Sequence, residues 1–179
     1  MTASKIAVRT VAADEAARIV SALSDVLTDV VEGGASVSFM APLAREQAEA
    51  FWERVAHDVE RGDRVLLVAF DGETLVGTAQ LLLGTPPNQH HRAEVAKVLV
   101  VRRARRRGVG RMLMNALEEE ARSRRRTLLT LDTVVAGAGE RLYASLGYVK
   151  IGEIPDYALL PRGGLVATSV FYKQLDSAA

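Results

Sequence analysis

Arg102-Arg103-Ala104-Arg105-Arg106-Arg107-Gly108-Val109-Gly110-Arg111 joins two segments of opposite character. Before it runs Glu94-Val95-Ala96-Lys97-Val98-Leu99-Val100-Val101, apolar and β-branched enough for a buried strand. After it runs Met112-Leu113-Met114-Asn115-Ala116-Leu117-Glu118-Glu119-Glu120, apolar at helical period. A strand therefore meets a helix through an Arg/Gly loop. Glycines let the backbone turn and approach a ligand closely. The first N–H groups of a helix have no partner within it, and the helix dipole favours an anion there. With arginines adding charge, the segment predicts a diphosphate cradle.

Outward from this stretch, the chain alternates between strand and helix signals. Upstream lie a strand over residues 6–11 and a helix through Ile19, Leu23, Val26, Leu27 and Val30, stopped by Gly33-Gly34. A loop over residues 35–42 follows, then a helix through Ala48, Phe51, Trp52, Val55 and Val59, with Trp52 read as core. Residues 64–70 and 74–83 form a hairpin around Asp71-Gly72. Downstream, residues 127–132 read as a strand, and a short helix carries Leu142, Tyr143 and Leu146. Residues 148–154 are a strand, residues 155–164 a loop, and residues 166–175 the last strand. The order β-α-α-β-β-β-α-β-α-β-β predicts an α/β fold with a mixed sheet.

Composition bounds the function. The chain has 179 residues, 49% hydrophobic and 25% charged, which suits a single domain over residues 1–179. A net charge of +1 makes the arginine run a local feature rather than a nucleic-acid-binding balance. The basic stretches also contain no aromatic residue to stack on bases. Cysteine is absent, which excludes disulfides, thiolate nucleophiles and zinc–thiolate sites. With only three histidines besides, no metal is assigned. No apolar run is long enough for a membrane span, and no signal-peptide pattern precedes the first strand. The expectation is a cytoplasmic enzyme without a membrane or nucleic-acid partner, as a monomer or homodimer.

The spacing Arg105-x-x-Gly108-x-Gly110 resembles the [QR]xxGx[GA] signature of the GCN5-related N-acetyltransferases (GNAT), which hold the pyrophosphate of acetyl-CoA. A second element, Leu142-Tyr143-Ala144-Ser145-Leu146-Gly147-Tyr148, resembles the family's LYxxxGF motif. The element order also matches, so the resemblance covers nearly the whole chain. Glu32-Gly33-Gly34-Ala35-Ser36-Val37, Arg92-Ala93-Glu94-Val95 and Leu131-Asp132-Thr133 look closest to the tabtoxin-resistance-type acetyltransferases. Two positions depart from the pattern: Arg102 stands where proline is common, and Ala136 lies near a frequent asparagine.

The resemblance implies a largely antiparallel sheet with splayed central strands, flanked by helices. It implies acetyl-CoA as co-substrate, its pantetheine arm adding like a strand against the backbone of Val98 and Val100. Arg105, Arg106, Arg107, Gly108, Val109, Gly110 and Arg111 would take the phosphates. Tyr143 matches the group that protonates, or hydrogen-bonds, the leaving thiol; the competing reading is a packing aromatic with its hydroxyl tied to backbone. Glu94 and Asp132 are the candidate groups that bind and deprotonate an amine. Their competing readings are a salt bridge of Glu94 with Arg92 or Lys97, and a turn cap by Asp132. Ser36, Phe39, Asp156 and Tyr157, on loops flanking the splay, are candidates for acceptor selection. The acceptor implied is the primary amine of a small molecule, amino-acid-like as in toxin or antibiotic resistance. A protein or peptide amine and a non-catalytic acyl-CoA-binding module are the alternatives.

Overall fold

The computed structural model describes residues 5–176. Among these, seven strands form one sheet: β1 (Ile6–Thr10), β2 (Arg64–Asp71), β3 (Thr74–Leu82), β4 (Arg92–Val100), β5 (Leu128–Val134), β6 (Val149–Leu159) and β7 (Leu165–Gln174). Their order across the sheet is β1-β2-β3-β4-β5-β7-β6, and only β4 and β5 pair in parallel. The α-helices are α1 (Ala13–Ala16), α2 (Val20–Glu32), α3 (Arg45–Glu60), α4 (Val109–Ser123) and α5 (Ala138–Ser145). The expected order holds, except that the first helix is divided: a 3₁₀ stretch, Ala17–Ile19, separates α1 from α2.

Each helix is held by one apolar face. On α2, Leu23, Val26, Leu27, Val30 and Val31 are buried; on α4, Val109, Leu113, Met114, Leu117 and Ala121 are. Burial of one such leucine contributes about 1.5–3 kcal/mol, far more than helix propensity does. β2 and β3 are buried almost end to end, so helices must cover both faces of the sheet centre. Helix α4 covers the face of Gly77, where an added Cβ would lie 3.3 Å from both Leu113 and Val109. Helices α2 and α3, packed on each other and on β2, β3 and β4, cover the opposite face. Trp52 is fully buried in that layer, as core.

The feature that positions a site is the parting of β4 from β5. Their pairing lasts three rungs, from Arg92↔Leu128 to Glu94↔Thr130. Beyond it β5 stays with β7 as far as Val134↔Thr168. β4 instead bulges: its register against β3 jumps from Gln80↔Ala96 to Thr78↔Leu99, and Lys97 inside the jump has φ +48°. A bulge bends its strand and increases the twist, so the two strands diverge into a V. The splay implied by the resemblance is thus present.

One expectation is corrected. Residues 155–159 are not a loop but the end of β6, which runs to Leu159. The prolines and the aspartate suggested a break, yet Pro155 is tolerated because β6 is an edge strand. The irregularity falls between Ile154 and Ala158, where pairing with β7 skips and Asp156 has φ +51°.

Candidate active site

Two cavities open on the V between β4 and β5. The first, about 780 Å³, runs from the backbone of Val98 and Val100 to the start of α4. The amide of Val101 donates to Val76 O of β3 (2.9 Å). Strand alternation then turns the amides and carbonyls of Val98 and Val100 the other way, into the gap. Val100 O accepts there from Arg105 Nε (3.2 Å).

At the far end, Gly108 has φ +80° and serves as the N-cap of α4 without any side-chain cap. An L side chain rarely adopts that conformation. The N–H groups of the first turn are therefore left to the cavity. Arg105, Arg106, Gly108, Val109, Gly110 and Arg111 all line it, joined by Arg141, which the sequence reading missed. Among the described residues, no carboxylate lines this cavity. A groove with four arginines, no acid and an uncapped helix start fits a diphosphate-bearing ligand. Arg107 is the exception among the expected cradle residues: its guanidinium turns away to Asp71 (2.6 Å).

The second cavity, about 640 Å³, lies on the other side of the same gap. Glu94, Asp132, Ser36, Phe39 and Tyr157 line it, as expected, whereas Asp156 does not. Lys97 was not expected there and does line it. An ionisable residue inside the otherwise apolar run from Val95 to Val101 was the available signal. Its Nζ donates to Ser38 Oγ (3.1 Å) and stands 5.8 Å from the Phe51 ring centroid. Burial pushes the Lys97 ammonium below the ordinary lysine pKa, while Asp132 and, more weakly, Glu94 oppose that shift.

Neither Glu94 nor Asp132 forms an ion pair among the described residues. Arg92 instead donates to Gln89, so the expected alternative pairing of Glu94 is not made. Glu94 sits on the last rung before the strands part. Asp132 caps no turn; its Oδ2 accepts from Thr168 Oγ1 of β7 (3.0 Å). His90 and His91, at the far end of β4, line neither cavity.

Tyr143 lines both cavities. Helix α5 brings it there by packing closely on β5: a Cβ on Gly139 would fall 2.6 Å from Thr133 Oγ1 and 3.3 Å from Tyr143 Cε2. Glu140 ties the same helix to the sheet, accepting from Ala136 N (2.6 Å), Lys150 Nζ (2.5 Å) and Ser169 Oγ (2.8 Å). Those bonds, Lys150 foremost, hold the Glu140 pKa down at about 2. The Tyr143 ring is 7% exposed against Tyr148 and Phe171. Its hydroxyl makes no hydrogen bond to backbone or side chain among the described residues. Burial first, and Asp132 second, push its pKa well above the ordinary phenol value.

The family model described as Acetyltransferase (GNAT) family matches residues 35–148, which hold the cradle, both strands of the V and Tyr143. The chain belongs to the GNAT acetyltransferase family. An uncharacterised N-acetyltransferase from the hisH–hisA intergenic region of Azospirillum brasilense is 36% identical over 112 residues, 62% of this chain and 65% of that protein. The chain thus spans just under two thirds of the length of this curated relative. Among solved structures, an N-acetyltransferase from Staphylococcus aureus Mu50 aligns with a TM-score of 0.78 at 15% identity, over 97% of this chain and 100% of that one. YncA of Salmonella typhimurium, solved with its cofactor acetyl-CoA, aligns at 0.75 and 20% identity over 97% and 96%. A GCN5-related N-acetyltransferase from Kribbella flavida aligns at 0.76 and 25% identity over 95% and 98%.

Proposed function

We propose that this GNAT protein transfers the acetyl group of acetyl-CoA to the primary amine of a small, amino-acid-like molecule. The observation that carries the reading is the placement of Tyr143 where two chemically opposite cavities meet. One is rich in arginine and free of acids; the other holds the carboxylates Glu94 and Asp132.

Acetyl-CoA supplies an activated acyl group as its thioester. The cradle from Arg105 to Arg111 takes the diphosphate through backbone N–H groups and the guanidiniums of Arg105, Arg106 and Arg111. Val98 and Val100 hold the pantetheine arm by strand addition. An acceptor amine arrives mostly protonated, because its pKa is about 8–10.4. Glu94 and Asp132 attract that cation, and one of them removes a proton, directly or through water. The freed nitrogen pair attacks the thioester carbonyl, and the C–S bond breaks as C–N forms.

Tyr143 then acts as a hydrogen-bond donor to the departing sulfur. A thiol has a pKa of about 8.5, far below that of this buried phenol, so full proton donation from Tyr143 would run uphill. The thiolate takes instead one of the two protons that the ammonium loses during transfer.

Support for a small acceptor comes from the roof of the second cavity. The loop after α2 is pinned to the β6–β7 turn by Ala41 N to Pro161 O (2.8 Å) and Ser36 Oγ to Leu159 O (3.0 Å). That contact ties together the two segments, residues 36–40 and 157–159, that line one side of a cavity of about 640 Å³. The sequence likeness to tabtoxin-resistance-type enzymes supports an acceptor with an amino-acid core, and with it a role in self-protection or antibiotic resistance.

The test is acetyl transfer across amino acids, polyamines, aminoglycosides and peptide N-termini, read as free thiol released. Turnover with small amino-acid-like amines is expected. Exclusive turnover on peptide N-termini would refute the small acceptor, and CoA binding without turnover on any amine would refute the enzyme.

A further inference from the structure

Opposite charges line the second cavity without closing on one another. Glu94 and Asp132 have no cationic partner within 4 Å, and Lys97 has no carboxylate within that range, among the described residues. Yet Lys97 is coupled electrostatically to both. It is kept from them by its backbone. The bulge at φ +48° re-aims its side chain towards Ser38 and the Phe51 face. An ammonium carries three N–H donors; one goes to Ser38 Oγ, and the ring face accepts no full hydrogen bond. A half-buried ammonium that faces the cavity with donors to spare, and with no ion pair closed on it, is available to an anionic group of a ligand.

We infer that Lys97 is the oxyanion-binding group of the acceptor cavity, so that the acceptor carries a carboxylate as well as its amine. The inference rests on the transfer reading for which end of the acceptor reacts. The acceptor's ammonium pairs with Glu94 and Asp132, its carboxylate pairs with Lys97, and the remainder of the molecule lies against Phe39, Met40 and Tyr157. Arg105, Arg106, Arg111 and Arg141 line the other cavity, where the diphosphate sits, and among the described residues no arginine lines this one. Lys97 is thus a specificity-determining residue, distinct from the groups that move protons.

The experiment pairs each amino acid with the amine left when its carboxylate is removed: leucine with 3-methylbutylamine, phenylalanine with 2-phenylethylamine. The amino acid should have a KM lower by about 10- to 100-fold, the worth of a hydrogen bond to a charged group. Lys97→Met should erase that preference, read as the ratio of KM for the amino acid to KM for its plain amine so that an effect common to both substrates cancels; Lys97→Arg should retain it. Calorimetry on the CoA-bound protein gives a readout that needs no turnover. N-acetyl-leucine should bind more tightly than N-(3-methylbutyl)acetamide in the wild type and equally in Lys97→Met. Equal affinities in the wild type, or a preference that survives in Lys97→Met, would overturn the inference. Absence of turnover on every amine, with the binding difference intact, would overturn the transfer reading and leave the oxyanion site standing.

Discussion

Replacing Tyr143 with phenylalanine removes one oxygen and nothing else from the junction of the two cavities. The hydroxyl has no protein hydrogen bond to lose among the described residues, and the ring keeps its contacts with Tyr148 and Phe171. Stability should therefore stay within about 0.5 kcal/mol, the ordinary range for a change that breaks no network. Turnover should not. A hydrogen bond to a charged group is worth about 1.5–3 kcal/mol, and at about 1.4 kcal/mol per factor of ten that is roughly 10- to 150-fold in kcat. Loss of a true general acid would cost about 10²–10⁴-fold, so the size of the effect separates the two roles. The raised pKa fixes the sign of the pH dependence: the phenol stays neutral, and so stays a donor, above the usual tyrosine value. The wild-type rate should consequently show no fall from tyrosine ionisation up to about pH 10. Steady-state kinetics with thiol detection, beside thermal melts of both proteins, make the measurement. Wild-type kcat in a folded Tyr143→Phe variant would refute the reasoning and leave the tyrosine as packing alone.

Three further outcomes are expected. Gly110→Asp puts a negative charge on the first turn of α4, with its Cβ 3.1 Å from the movable end of Leu142; calorimetry should show CoA affinity weakened by about tenfold or more, and unchanged affinity would sink the cradle. Glu94→Gln and Asp132→Asn keep shape and lose charge, so both should slow transfer, and the variant lacking the base should also lose the rise of rate with pH; wild-type profiles in both would show that the proton leaves by another route. Glu140 has its pKa depressed to about 2, so its stabilisation is present above the ordinary carboxylate value of about 4.3 and fades as pH falls from there through about 2. A Glu140→Gln variant should therefore melt below the wild type at pH 6, with the gap in Tm shrinking in acid, and a gap independent of pH would contradict the link between the Lys150 contact and stability.

Local patterns carried most of the fold. The alternation and helical periods placed the strands and helices in order, since a buried face writes its spacing into the chain. The Arg/Gly run marked the cradle because a left-handed residue before an uncapped helix calls for glycine at one position, Gly108. Glu94, Asp132 and Tyr143 were legible as candidates from motif position, and the fold assembled them around one gap between strands. Other features needed the tertiary structure. The edge position of β6 let Pro155 stay in a strand, since no neighbour there requires its missing N–H. Arg107 left the cradle because Asp71, 36 residues away in sequence, offered a counter-ion. Lys97 entered the acceptor cavity because a bulge against β3 turned it there, and a bulge depends on the register of two strands rather than on either sequence alone. What the chain determined by itself is which residues could do the chemistry; strand register and edge position, which are sums over distant contacts, decided which of them face the gap.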